Sequence, residues 1–156
     1  MKQFFSLLDG MMEYRQLKEA IEQGRVPVSL TGAAAAHKTH IIASLVYQLQ
    51  RPALVIVPDE STAIRFAADL NTLLGERVLH FPARDYVLLD VDGASGEFEH
   101  QRLGALDEFV HAKQPVLAAP CEALLMRTLP PEALEKASFT LALDEDYPLD
   151  ALENAL

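Results

Sequence analysis

The sequence predicts an α/β domain in which helices cover both faces of a parallel sheet, and three observations carry that prediction. Short apolar runs alternate with longer segments of helical periodicity, the order that crossover connections between parallel strands impose. Two of the runs, 53–57 and 115–119, contain no polar side chain, as expected of strands buried on both faces. The chain has 156 residues, 50% hydrophobic and 23% charged, which suits one domain with one core.

The elements follow in order. Residues 13–23 place Tyr14, Leu17, Ala20 and Ile21 at helical spacing and Gly24 just beyond them, so residues 1–25 read as a lead-in ending in a capped helix. Residues 26–30 form a short apolar strand; Gly32 then turns the chain into a helix over 35–50. The unit repeats with a strand at 53–57, a cap-like turn at 58–61 and a helix over 62–74 stopped by Gly75. A third strand covers 78–81, and a polar, acidic connection from Pro82 to Gly96 precedes a helix over 97–111; connections this long are often functional. A fourth strand at 115–119 leads to a short helix at 121–126 and a break at Pro130 and Pro131. In 138–143, Phe139, Leu141 and Leu143 alternate with Ser138, Thr140 and Ala142, the pattern of a less buried edge strand. The α/β body therefore spans 26–143, with 144–156 a C-terminal segment. A sheet wound this way binds ligands at the carboxyl ends of its strands.

Charge and cysteine content exclude several functions. Lys and Arg number 13 against 23 Asp and Glu, a net charge of -10, so the isolated domain is not expected to bind DNA tightly. The single cysteine, Cys121, excludes an internal disulfide and lacks companions for a zinc site, and a reducing cytoplasm is the expected setting. Near the N-terminus Asp9 and Glu13 interrupt the apolar residues that begin at Phe4, so neither a signal-peptide core nor a membrane span is expected.

The chemical question sits between the first strand and the first long helix. Gly32-Ala33-Ala34-Ala35-Ala36-His37-Lys38-Thr39 matches the phosphate-binding P-loop (Walker A) pattern G-x-x-x-x-G-K-[ST] at every fixed position except His37. In that motif main-chain amides cradle phosphate, the lysine meets the β and γ oxygens and the hydroxyl holds Mg²⁺. An imidazole at the second glycine position crowds the phosphate, and four alanines favour helix over an open nest of amides. The loop is expected to be collapsed or helical, with Gly32, His37, Lys38 and Thr39 vestigial. A chance match and a working ATP site are the competing readings; the strand before and the helix after favour a disabled P-loop.

The remaining candidates carry less. Leu141-Ala142-Leu143-Asp144-Glu145 copies the end of a Walker B strand but reads as a surface turn before Pro148. His37 and His40 lie three apart without a third ligand nearby, and Asp90, Asp92, Glu97 and Glu99 crowd a loop and helix start, where acids favour the helix N-terminus. No catalytic residue and no metal ligand are assigned.

Several stretches taken together resemble one family. Val28-Ser29-Leu30-Thr31-Gly32, Pro52 through Asp59, Phe81-Pro82-Ala83-Arg84-Asp85-Tyr86, Glu99-His100-Gln101-Arg102-Leu103 and Val116 through Leu125 recur in this order in the N-terminal, UvrB-homology module of bacterial transcription-repair coupling factors (Mfd). The helicase UvrB is similar at greater distance. The resemblance covers nearly the whole chain and implies a P-loop NTPase-like (RecA-like helicase) α/β fold with a degenerate Walker A. It implies a parent that is an ATP- and Mg²⁺-dependent DNA translocase, displacing stalled RNA polymerase and recruiting UvrA. The resemblance further implies that this segment needs no cofactor, acts as a non-catalytic scaffold for other domains of the same chain, and leads through 144–156 toward a missing second domain. UvrB's longer, aromatic-rich hairpin is here the shorter 82–96 stretch, with Tyr86 as its aromatic. Two alternatives stand beside this: a nucleotide-binding P-loop enzyme, and a DNA-binding piece of a UvrB-like helicase in which Arg65, Arg77, Arg84 and Arg102 would cluster.

Overall fold

A computed structural model describes residues 2–75, 78–83, 96–139, 141, 143 and 146–148. The chain divides into two compact units, Met1–Met126 and Arg127–Leu156.

In the first unit the order is α1 (Lys2–Ser6), a 3₁₀ turn (Leu7–Gly10), α2 (Met12–Glu22), α3 (Ala35–Leu49), β1 (Ala53–Val57), α4 (Glu60–Leu74), β2 (Leu79–His80), α5 (Glu97–His111), β3 (Val116–Pro120) and α6 (Cys121–Leu125). The second unit carries α7 (Pro131–Ala137), which opens on a proline whose missing N–H costs nothing at that position. The sheet is parallel, with order β1-β3-β2. Ala53 pairs with Val116 and Val57 with Pro120, while Leu79 pairs with Leu117. Phe81 N–H donates to Ala118 O at 2.9 Å and extends the β2 ladder past His80.

Both faces of the sheet carry helices. On one face, Val55, Val57, Val116 and Ala118 pack with Ala43 and Val46 of α3, Phe5 of α1, and Ala63, Phe66, Ala67 and Leu70 of α4. The α4 set follows i, i+3, i+4, i+7, which brings it onto one stripe. On the other face, Leu117 and Ala119 of β3 join Leu79, Phe81, Ala105 of α5 and Ala123 of α6. All five residues of β3 are buried, with Ala118 and Ala119 at 0% exposure.

β1 departs from the expected burial on both faces. Leu54 and Ile56, in register with Leu117 and Ala119, remain 48% and 57% exposed. The helices of that face lie over β2 and β3, so a run without polar residues is buried on one side only.

Among the described residues, two predicted strands show no strand structure. Residues 26–30 carry no ladder pairing, and Val26, Val28 and Leu30 are 67%, 42% and 42% exposed. Pro27 removes the central N–H that a ladder there would use, and Val26 N–H is already engaged with Gly24 O at 3.1 Å. Of the 138–143 stretch, Ser138, Phe139, Leu141 and Leu143 are described, without strand structure, and Leu143 is 96% exposed. Alternation allows a strand to bury one face but does not supply the neighbour it must pair with. Residues 140, 142, 144 and 145, and with them the Asp-Glu pair, lie outside the described residues, as do Arg77, Arg84, Tyr86, Asp90 and Asp92.

Local chemistry fixes the element ends. Asp59 caps α4, its Oδ1 accepting from Thr62 N–H at 2.8 Å and Ser61 Oγ–H at 2.7 Å and its Oδ2 from Thr62 Oγ1–H at 3.0 Å. Gly75 ends the helix at φ 65°, a left-handed conformation in which a Cβ is strained. The Asn71 side chain then accepts from Val78 N–H, tying α4 to the entry of β2.

The lead-in is held on α3 by stacking and a small polar network. Phe5 stacks on Tyr47 at 4.6 Å and Phe4 on His40 at 4.1 Å between ring centroids. Gln48 donates to Phe5 O and to Asp9 Oδ1, and accepts from the Tyr14 hydroxyl at 3.3 Å. Ser44 Oγ is fully buried against this phenol without meeting full hydrogen-bond geometry. Burial, followed by the neighbouring Asp9 carboxylate, pushes the Tyr14 phenol up to about 12.

Two stability predictions follow from opposite signs of linkage. The Ser61 hydroxyl, then the Thr62 N–H and hydroxyl, hold the Asp59 carboxyl below its ordinary value. Its contribution is therefore present above the unfolded value of about 3.9 and lost as pH falls through the lower folded value. Asp59→Ala should lower the thermal midpoint at pH 7, and the gap to wild type should close in acid. Tyr14 has a raised value, so its contribution is complete below pH 10 and lost as pH rises from 10 toward about 12. Denaturant titrations should show that alkaline loss in wild type and a flatter profile for Tyr14→Phe.

Candidate functional site

Two places have the sequence or the topology of a site: the start of α3, and the carboxyl ends of the strands. At the first, Gly32 adopts φ 79° and Ala34 is the N-cap residue, at φ −67°, ψ 164°, without a side-chain capping bond. Helix begins at Ala35, so His37, Lys38 and Thr39 occupy its first turns. Lys38 N–H donates to Ala34 O at 3.0 Å, an intrahelical bond. The Thr39 hydroxyl turns back to donate to Ala35 O at 3.2 Å, with the residue 3% exposed. Lys38 and His37 point to solvent.

The two histidines of this helix have separate surroundings. His37 is exposed, whereas His40 Nε2 lies 3.1 Å from Phe4 O, donating in the Nε2–H tautomer, under the stacked Phe4 ring. His40 thus belongs to the packing of the lead-in. Among the described residues, no group of three or more His, Cys, Asp or Glu side chains could hold a metal ion. Glu97 and Glu99 fall in the first turn of α5, where acids oppose the helix dipole.

At the carboxyl ends of the strands, side chains from three connections reach one another's main chain. Glu60, at the first position of α4, accepts from Ala83 N–H through Oε2 at 3.0 Å. Its Oε1 lies 2.8 Å from His80 Nε2, within ion-pair range but outside hydrogen-bond geometry. Arg102 of α5 is 8% exposed; its Nη1 donates to Pro82 O at 2.5 Å and its Nη2 to Ala123 O at 3.3 Å. The guanidinium lies 4.0 Å from the Phe81 ring centroid, a cation–π arrangement. Cys121 Sγ, at the start of α6, is 3.4 Å from Pro58 O, a weak thiol donor contact.

This geometry takes Arg102 out of the arginine cluster, of which Arg77 and Arg84 lie outside the described residues. Arg102 is buried on carbonyls and an aromatic face, so it contributes no charge to a phosphate-binding surface; Arg65 is exposed on α4. Leaving either carbonyl without its donor costs on the order of 1–3 kcal/mol. The reading from sequence missed Arg102 as a packing residue, although its position carried a signal. Phe98, Arg102, Ala105, Leu106 and Phe109 follow i, i+4, i+7, i+8, i+11, which puts the cation inside the apolar stripe of α5.

Comparison with known proteins gives a consistent set of relatives. The chain is 27% identical over 155 residues, 94% of its length, to the transcription-repair-coupling factor of Myxococcus xanthus. It is 24% identical over 123 residues to UvrABC system protein B of Pasteurella multocida and 23% over 124 residues to that of Escherichia coli, each covering 70% of the chain. The chain spans 13% of the length of the first relative and 18% of the other two. No protein-family model and no solved structure matches it. The relatives agree with the family resemblance, and the chain is homologous to transcription-repair-coupling factors and, at lower identity, to UvrABC system protein B.

Proposed function

We propose that this chain is a UvrB-like scaffold module of a transcription-repair coupling factor, one that orients neighbouring modules and does not itself bind or hydrolyse nucleotide. The observation that carries this reading is the start of α3. A P-loop needs main-chain amides free around a phosphate and a hydroxyl free for Mg²⁺. Here Lys38 N–H is inside the helical ladder and the Thr39 hydroxyl is bound back to Ala35 O. His37 adds a side chain where the motif uses glycine, so Gly32, His37, Lys38 and Thr39 are the remnant of a nucleotide site.

The parent is, on this reading, an ATP-driven DNA translocase that displaces stalled RNA polymerase and recruits UvrA, with ATP and Mg²⁺ used elsewhere in the polypeptide. The names of the relatives, a transcription-repair-coupling factor and a UvrABC component, support the repair context. The net charge of -10 supports protein neighbours over DNA as the direct partners of this module. Among the described residues no helix is long and apolar enough to cross a membrane.

Isothermal titration of the chain with Mg-ATP should give no saturable heat, and a phosphate-release assay should match the buffer blank. Micromolar binding that disappears in Lys38→Ala would overturn the proposal and favour a P-loop enzyme. Fluorescence anisotropy with labelled duplex DNA should likewise show no tight complex even at low ionic strength; a complex whose affinity falls steeply with added salt would favour the helicase-fragment reading instead.

A further inference from the structure

The contacts at the carboxyl ends of the strands close into a circuit. Pro58 O meets Cys121 Sγ; two residues after Cys121, Ala123 O accepts from Arg102; Arg102 also holds Pro82 O; the next residue, Ala83, donates to Glu60, two residues after Pro58. We propose that Arg102 is the positioning residue of this circuit, making the exit of β2 and helix α6 one rigid rim.

Each carbonyl that Arg102 takes lacks the donor that regular structure would give it. α6 ends at Leu125, so Ala123 O is one of the orphan carbonyls of a helix C-terminus. Pro82 O lies beyond β2, which ends at His80. The two belong to connections after different strands, and a planar guanidinium can hold both in one fixed fork, which an ammonium cannot. Phe81 beneath the guanidinium keeps that fork in a single orientation. The other links are weaker or local, because the Cys121 thiol is a poor donor and Glu60 reaches only the β2 side. Among the described residues, Arg102 is thus the charged group that spans β2 and α6. The inference concerns the rim and is independent of whether the chain binds nucleotide.

Hydrogen-exchange mass spectrometry on the full chain tests it. Arg102→Met keeps the apolar stem over Phe81 but removes both donors, and should raise exchange in segments 79–83 and 121–126 together, by about tenfold or more, while α3 and α4 keep wild-type protection. Val46→Ala, a cavity in the core of the other sheet face, serves as the control for general destabilisation and should not single out those two segments. A rise confined to one segment, no rise, or the uniform pattern of the control would overturn the proposal. Should Arg102→Met fail to fold, Arg102→Lys decides: an ammonium holds at most one of the two carbonyls, so a rise in at least one of the two segments with α3 and α4 at wild-type protection supports the rim, and no rise in either, or a uniform rise, sinks it.

Discussion

The fold depends on β3 being enclosed from both sides. Val116–Pro120 is the strand against which β1 and β2 both pair, and its side chains divide between two separate cores. Ala118 faces α3 and α4, and Ala119 faces the α5 side; both have zero exposure. Small side chains at these central positions let helix layers approach the sheet closely, so a larger residue at either would force a layer outward. Placing Leu117 and Val116 on opposite faces then commits the crossover before β3 and the helix after it to the layers they occupy. Because β3 is the hub, the connections after the three strands emerge beside one another, and that proximity makes the rim of side-chain ties possible.

Much of this order was legible in the sequence. The helices at 97–111, 60–74 and 35–49 have long, periodic apolar patterns with recognisable ends, so propensity, cap and tertiary packing all agree. The strands at 53–57 and 116–120 were legible for the same reason. What failed were segments whose local pattern is right but whose partner is decided elsewhere. Residues 26–30 have the composition of a strand, yet Pro27 weakens any ladder and nothing in five residues says where a neighbour will be. The apolar face of β1 illustrates the same limit, since hydrophobicity at Leu54 and Ile56 shows that burial would be favourable without showing that a helix reaches them. α1, whose Phe5 is 2% exposed, is too short for periodicity to reveal and owes its structure to the stack on Tyr47.

The start of α3 was legible as chemistry more than as shape. The match to Gly32, Lys38 and Thr39 pointed to where a nucleotide would be sought, and the structure places Lys38 and Thr39 in the first turns of a helix that begins at Ala35. Of the four alanines, Ala35 and Ala36 enter the helix while Ala33 and Ala34 stay outside it, so helix propensity, a few tenths to about 1 kcal/mol per residue relative to poorer formers, acts only through the second pair. Arg102 was the converse case. A charged residue quoted only as part of a motif, or grouped with other arginines by sign, turned out to be an interior group, and the decisive clue was its spacing relative to Phe98 and Phe109, not its charge.

These two places bear on each other through what a sheet of this class does at its carboxyl edge. In ligand-binding relatives of the architecture, that edge presents unpaired main-chain groups and helix N-termini to a small molecule. Here the carboxylate of Asp59 is taken up by its own helix cap, Glu60 by Ala83 and His80, and Arg102 by Pro82 and Ala123. Polar side chains that could have met a ligand instead join one connection to the next. On the proposed rim, Pro82 and Ala123 are coupled through the buried, charge-assisted bonds of Arg102, the stronger class of hydrogen bond.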